Sequence, residues 1–225
     1  TPATPEQQAL LKTCTKVVAN TNYASDGQHL YINAYDGGSS VGVNYQLAKD
    51  VDLDTFVLLD EKNGGLFKDK NGVYLNLNRS YALAENIKQA TNIATSSASF
   101  VSTYCLKDDM RVYCGDASRM KNKVVRLPVV QGVDAKTFSL INEEETYFKD
   151  QKKVYCIQGD KAATVHPLLG ANPVTFRLIA SSTGIFAKDK QTVYRHCTPL
   201  KNADPSSFEL LSITDYQKDK NHVYY

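Results

Sequence analysis

The residues of this chain that could do chemistry are its carboxylates, cysteines and histidines. Six aspartates, Asp26, Asp69, Asp108, Asp150, Asp189 and Asp219, recur at gaps of 43, 39, 42, 39 and 30 residues. A calcium loop would need several oxygen ligands at set spacing. The residues that follow these aspartates are mostly Lys, Gln or Asp, and lysine beside a cation is unfavourable. The expected role is a structural turn, in which each carboxylate accepts hydrogen bonds from turn amides. Other acids, Asp52, Asp54, Asp60 and Glu61 or Glu143, Glu144 and Glu145, could converge as a hydrolytic pair, though such runs read first as a solvated edge. There is no G-x-S-x-G, phosphate loop, H-E-x-x-H or dinucleotide fingerprint. The histidines His29, His166, His196 and His222 are scattered, and His29 and His222 share one repeat position at a turn. His196 adjoins Cys197, but neighbours on a strand point to opposite sides, so a cysteine–histidine nucleophile is not expected.

The aspartates sit in a repeated phrase that must position them. It reads Y-A-S-D-G-Q-H-L-Y from Tyr23, F-K-D-K-N-G-V-Y from Phe67 and L-K-D-D-M-R-V-Y from Leu106. It returns as F-K-D-Q-K-K-V-Y from Phe148, A-K-D-K-Q-T-V-Y from Ala187 and Q-K-D-K-N-H-V-Y from Gln217. A period near forty residues signals a repeat architecture whose units need neighbours to bury their apolar faces. Each phrase predicts a β-hairpin, and Asp69-Lys70-Asn71-Gly72 has type I turn residues, with Asn tolerant of a left-handed conformation.

A companion phrase begins a further strand at Phe56, Phe138, Phe176 and Phe208, with a weaker copy at Phe100. Alternation such as Phe176-Arg177-Leu178 is strand-like. The module is then three strands, or four. Valine and tyrosine are neighbours in the hairpin's second strand and point to opposite faces, so both faces should be covered. The fold class expected is all-β: about six hairpin units in a propeller-like or open curved spiral, with an N-terminal capping helix. The helix is expected over residues 5–19, after Thr4-Pro5-Glu6 and with Ala9, Leu10, Cys14, Val17 and Val18 on one side. A second short helix is expected over residues 80–93. The domain reading is a cap at residues 1–20 and one repeat domain at 21–225.

Centring the third hairpin on Asp109 and Met110 places Lys107 opposite Val112, Leu106 opposite Tyr113, and Cys105 opposite Cys114. A directly opposed pair lies within disulfide reach, which predicts a structural Cys105–Cys114 bridge. Of the remaining cysteines, Cys156 and Cys197 are neighbours in successive units, or Cys14 ties the helix to one of them. Five cysteines without C-x-x-C favour disulfides over zinc and lean toward an oxidising compartment. The first residue is Thr1, and no signal sequence is visible, as in a processed or trimmed protein. No cofactor or metal is implied. No apolar run is long enough to span a bilayer. A net charge of +2 gives no nucleic-acid footprint. The basic stretch Arg111, Arg119, Lys121, Lys123 and Arg126 is interrupted by Asp116 and suits a partner's acidic surface.

The K-D-K-N-x-V-Y-Y phrase, clearest in Lys218 to Tyr225 and Lys68 to Tyr74, resembles the bacterial DKNYY repeat family over roughly residues 20–225. The phrase Asn202-Ala203-Asp204-Pro205-Ser206-Ser207-Phe208 looks like that family's linker. The third unit departs most, with Asp109-Met110-Arg111 in its turn, and the first has Ser25 in place of lysine. The resemblance implies a bacterial, exported or envelope protein and no reaction. The expected function is a non-enzymatic protein-binding scaffold of the periplasm or envelope. Its specific form would be an immunity protein that sterically blocks a secreted antibacterial toxin. The expected contacts are the turn residues Lys70, Asn71, Met110, Arg111, Lys152 and Lys153. A carbohydrate or cell-wall module is the alternative, with Tyr23, Tyr147 and Tyr216 as stacking platforms, although tryptophan is absent. A hydrolase with converged carboxylates is the third reading.

Overall fold

The computed structural model describes residues 9, 15–16, 23–34, 44–48, 50–60, 65–76, 87–116, 120, 122–141, 145–157, 164–179, 186–211 and 216–224. These form small sheets, almost all antiparallel, with one 3-10 turn at Leu53–Thr55. Neither a closed barrel nor a propeller is present among the described residues. The chain divides into two compact units, residues 1–100 with 116–128 and residues 101–115 with 129–225.

Every predicted hairpin forms, in the expected register. Leu66 faces Leu75, Cys105 faces Cys114, Tyr147 faces Cys156 and Phe186 faces Arg195. The strand that begins after each linker phenylalanine pairs with the first hairpin strand, as Ser139–Leu140 does with Phe148–Lys149. A return strand often closes the other edge, as Val165–Pro167 does in the fourth module. The second module takes two such additions, Ile87–Ala90 and, parallel to it, Val124–Val125.

Two expected helices give way to this edge pairing. Thr15–Lys16 pair with Ala24–Ser25, so a helix does not run through to residue 19; apart from Ala9, which is helical, the rest of that segment lies outside the described residues. Ile87–Ala90 are extended against Val73–Asn76, not helical. In both places an open strand edge offers a full set of backbone partners, which outweighs a propensity difference of under about 1 kcal/mol per residue.

Alternation sends the two rows of the fourth and fifth hairpins into different cores. In the fourth module Phe148 and Tyr155 join Cys105, Val112 and Cys114 of the third, with Phe138 between them. Tyr147, Val154 and Cys156, one residue out of phase, join Phe176, Ala187 and Tyr194 of the fifth. Phe186 and Val193 of the fifth then meet Phe208, with Tyr224 of the sixth packed alongside. The second unit is thus built by stacking modules face on face in chain order, with the linker phenylalanine as the filler each time. Ring centroids 5.3 Å apart for Tyr147 and Phe176, and 5.4 Å for Phe138 and Phe148, show the contact. Burying a side chain of that size is worth about 1.5–3 kcal/mol. In the first unit Tyr23, Leu30 and Ile32 are filled in the same way, with Phe56 packed against Tyr23 and Phe67.

Candidate functional site

The repeated aspartate builds one constellation six times. Its Oδ1 accepts from the backbone N–H groups two and three residues on: Lys152 and Lys153 at 2.7 Å each on Asp150, and Gln191 and Thr192 at 2.8 Å on Asp189. The same pair is made on Asp26, Asp69, Asp108 and Asp219. Its Oδ2 accepts from the tyrosine hydroxyl five residues on, with Tyr31, Tyr74, Tyr113, Tyr155, Tyr194 and Tyr224 as donors. In four modules Oδ2 also accepts a backbone N–H from the linker: Asp52 at 2.6 Å, Asp134 and Asn172 at 3.0 Å, and Asp204 at 2.8 Å.

That last contact is the one a residue-by-residue reading misses. Asp134, Asn172 and Asp204 each open a single helical turn whose fifth residue, the phenylalanine, donates its N–H back to the first carbonyl. The Thr or Ser before the phenylalanine ties the turn to the hairpin tip. Thr55, Thr137 and Ser207 accept the N–H of Lys70, Gln151 and Lys220 through their hydroxyls. The signal was present as Asp or Asn, two residues, Thr or Ser, then Phe. In the fifth module Asn172 directs its Oδ1 to the Val174 N–H instead, and the buried Thr175 hydroxyl oxygen has no hydrogen-bond partner.

Asp26, Asp150, Asp189 and Asp219 are held as carboxylates. At Asp150 burial pushes the carboxyl up, but the Asp134 N–H, the Tyr155 hydroxyl and the turn N–H groups outweigh it and leave it below its ordinary range. Asp189 has the same balance, burial against the N–H groups of Asn172, Gln191 and Thr192. The Asp204 N–H leads the set that holds Asp219 low, and the Tyr31 hydroxyl does so for Asp26. Burial, then the neighbouring aspartate, pushes the hydroxyls of Tyr113 and Tyr194 up to about 12. A carboxylate whose oxygens are already filled by N–H and O–H donors is poorly placed to serve as a metal ligand or a general base. Among the described residues no group of three or more His, Cys, Asp or Glu could hold a metal ion.

The other candidates are dispersed. Asp52 caps the Leu53–Thr55 turn and pairs with Lys70, Asp60 is buried and accepts the Gly65 N–H, and Glu145 accepts the N–H and hydroxyl of Thr103. Glu61, Glu143 and Glu144 lie outside the described residues. His29 and His222 sit at hairpin tips beside Asp26 and Asp219. Cys105–Cys114 and Cys156–Cys197 are disulfides, with Cα atoms 4.2 and 5.8 Å apart, so Cys197 carries no free thiol. Cys14 lies outside the described residues. Tyr23 and Tyr147 are core residues, which removes them as sugar platforms; Tyr216 is half exposed. No left-handed residue occurs at Asn71 or Gly72. Gly72 is needed for a different reason, because a Cβ there would meet the Gln89 side-chain nitrogen at 2.7 Å.

What the tips present to solvent is mainly positive charge. Lys70 and Asn71 in the first unit, and Met110, Arg111, Lys152 and Lys153 in the second, are all exposed. Of the basic stretch, Lys123 and Arg126 are exposed in the first unit and Arg111 in the second, while Arg119 and Lys121 are outside the described residues. In the second unit Lys136 on a linker turn, Arg177 on the strand after one, and Lys190 and Lys220 at tips add further exposed cations. Two equivalent grooves lie between successive modules there. One of about 340 Å³ runs past Gln151 to Pro173 and Val174, and one of about 400 Å³ past Lys190 to Pro205 and Ser206. No described helix is long and apolar enough to cross a membrane.

A model of the DKNYY family matches residues 39–183 and 164–225. The first hairpin lies outside that match, yet its Asp26 makes the same turn and tyrosine bonds as the other five. No curated protein and no solved structure matches the chain.

Proposed function

We propose, from the premise that the chain belongs to the DKNYY family, that it is a non-enzymatic protein-binding scaffold of the bacterial envelope. Its hairpin tips, and the intermodule grooves of the second unit, meet an acidic surface on the partner. An immunity protein that covers the active site of a secreted antibacterial toxin is the specific form of this reading. One observation carries it: the same tips that use up every repeat aspartate in hydrogen bonds leave lysine and arginine side chains exposed. Electrostatic complementarity of that kind sets partner choice and association rate. The two disulfides support an oxidising compartment.

The test is to immobilise the oxidised chain and identify what it retains from periplasmic and secreted fractions. The expected result is one protein retained in stoichiometric amount, whose binding weakens with salt and is lost with Lys152→Glu combined with Lys153→Glu. Retention of envelope polysaccharide alone, or binding indifferent to both substitutions, would overturn the reading.

A further inference from the structure

Three of the linker turns carry a carboxylate that the fifth module lacks. Asp52 pairs with Lys70 and Asp204 with Lys220, each through Oδ2. The hydroxyls of Thr55, Thr137 and Ser207 donate to Asp52, Asp134 and Asp204. In the fifth module the tip keeps its lysine, Lys190, but the linker residue is Asn172. Asn172 Oδ1 accepts the Val174 N–H, as Asp134 Oδ1 accepts that of Lys136 and Asp204 Oδ1 that of Ser206. The place of the second carboxylate oxygen therefore falls to an amide nitrogen, a donor where the sibling modules present an acceptor. The Thr175 hydroxyl oxygen is left without a partner, and Lys190 without a counter-ion among the described residues.

A second departure lies at the same groove. In three other modules the first hairpin lysine faces a neutral or acidic residue. Val57 faces Lys68, Ser139 faces Lys149, and Glu209 faces Lys218 and pairs with it at 2.9 Å. In the fifth module Arg177 stands opposite Lys188, and like charges directly opposed destabilise a sheet. Lys188 turns to the carbonyls of Pro205 and Phe208, at 2.7 and 3.4 Å. The Arg177 guanidinium has no acceptor among the described residues. Arg177, Lys190 and Thr175 all line the groove of about 400 Å³ that runs past Pro205 and Ser206.

We propose that this groove is a carboxylate-binding site whose occupant is an aspartate or glutamate side chain of a protein partner. The partner supplies in trans the acid that this module lacks; the proposal rests on the protein-binding reading above and names where the acid is taken. Arg177 offers a planar fork of N–H donors and Lys190 a mobile ammonium, a pair suited to the two oxygens of one carboxylate. Asp189 also borders the groove, but its oxygens are filled by the Gln191, Thr192 and Asn172 N–H groups and the Tyr194 hydroxyl. Its charge opposes a phosphate dianion more than a single carboxylate. Asp204, the other acid nearby, is held by Lys220. A module that breaks the rule of its siblings at linked positions gives up stability, as functional sites do.

The experiment titrates the isotope-labelled full chain at low salt with a capped glycine–glutamate peptide and follows the backbone amides. Expected are saturable shifts at Thr175, Arg177 and Lys190, and none with the glutamine counterpart of the peptide. Binding should weaken by about tenfold or more in Arg177→Gln and in Lys190→Gln. Both side chains face solvent, and thermal unfolding no lower than the parent's shows that the fold is intact. Asn172→Asp puts the acid back in cis, so it should raise the urea midpoint while abolishing the shifts; a merely structural role would not move the two in opposite directions. No shifts at millimolar peptide, equal shifts at the Lys70 and Lys220 tips, or binding by Asn172→Asp as tight as the parent's would overturn the proposal. Inorganic phosphate binding the groove more tightly than the peptide would overturn it in favour of a free anion. On the immobilised chain, retention of a partner undiminished by Asn172→Asp would overturn this site and leave the protein-binding reading standing. A groove that titrates on a chain retaining no protein would support the site and overturn that reading.

Discussion

Asp150→Ala removes four hydrogen bonds at once. Two come from the Lys152 and Lys153 N–H groups at an exposed tip, where water can replace the carboxylate. Two come from the buried Tyr155 hydroxyl at 2.7 Å and the Asp134 N–H at 3.0 Å, which would lose their acceptor. A hydrogen bond to a charged acceptor is worth about 1.5–3 kcal/mol, and an orphaned buried donor costs about 1–3 kcal/mol. Counting only the two inner bonds, the expected loss is about 3–5 kcal/mol, at the upper end for single substitutions. Asp150→Asn keeps an acceptor for the turn but turns an N–H₂ toward the linker or the tyrosine, and should cost about half as much. Lys152→Ala, on the same tip, should change stability by less than about 0.5 kcal/mol. Because a stacked array can open module by module, hydrogen exchange resolved to residues 133–157 is the suitable measure, read along a urea series. If Asp150→Ala opened that segment no more easily than Lys152→Ala does, the carboxylate would not be the clamp between linker and hairpin.

Acid should weaken the same clamp. Asp150 and Asp189 have folded pKa values below their unfolded ones, so their stabilisation is complete above about pH 4 and is lost as pH falls through the folded values; urea midpoints should be level from pH 7 to 5, fall below 4, and fall less in Asp150→Asn. Asn172→Asp should give the Thr175 hydroxyl the acceptor that Asp134 gives Thr137 and place a carboxylate near Lys190, as Asp52 stands to Lys70; a gain of about 0.5–1.5 kcal/mol is expected, and a loss would count against the equivalence of these turns. Calcium or a chelator should move the Tm by less than about 1 °C, since a larger shift would require carboxylate oxygens that the N–H and O–H donors do not occupy. The disulfides close loops with sequence separations of 9 and 41 residues, for which chain entropy gives about 2.7 and 4 kcal/mol, so the Cys156→Ala, Cys197→Ala pair of changes should cost more in urea unfolding than Cys105→Ala with Cys114→Ala.

The parts of this fold that were legible in the sequence are those fixed by local geometry. A two-residue period and a constant turn length determine hairpin register, so Cys105 and Cys114 could be paired on paper and are bonded. The neighbouring valine and tyrosine implied two covered faces, and alternate rows of the fourth and fifth hairpins do enter different cores. The clamp was only half legible. Turn amides are an aspartate's usual partners, but the linker donor is a backbone N–H, which every residue but proline carries, so only the Asp or Asn, two residues, Thr or Ser, Phe phrase around it marks its place. The tyrosine hydroxyl could have been assigned from its invariant place five residues after the aspartate; treating the ring as packing alone hid that.

The two expected helices misled for a related reason. A segment's amphipathic pattern records what it could bury, whereas Thr15–Lys16 and Ile87–Ala90 went where an exposed strand edge needed partners. In a stacked repeat the residue types of a face report the chemistry of the segment that fills it, as Phe138 lies on Cys105, Val112 and Cys114 and Phe176 on Tyr147 and Val154.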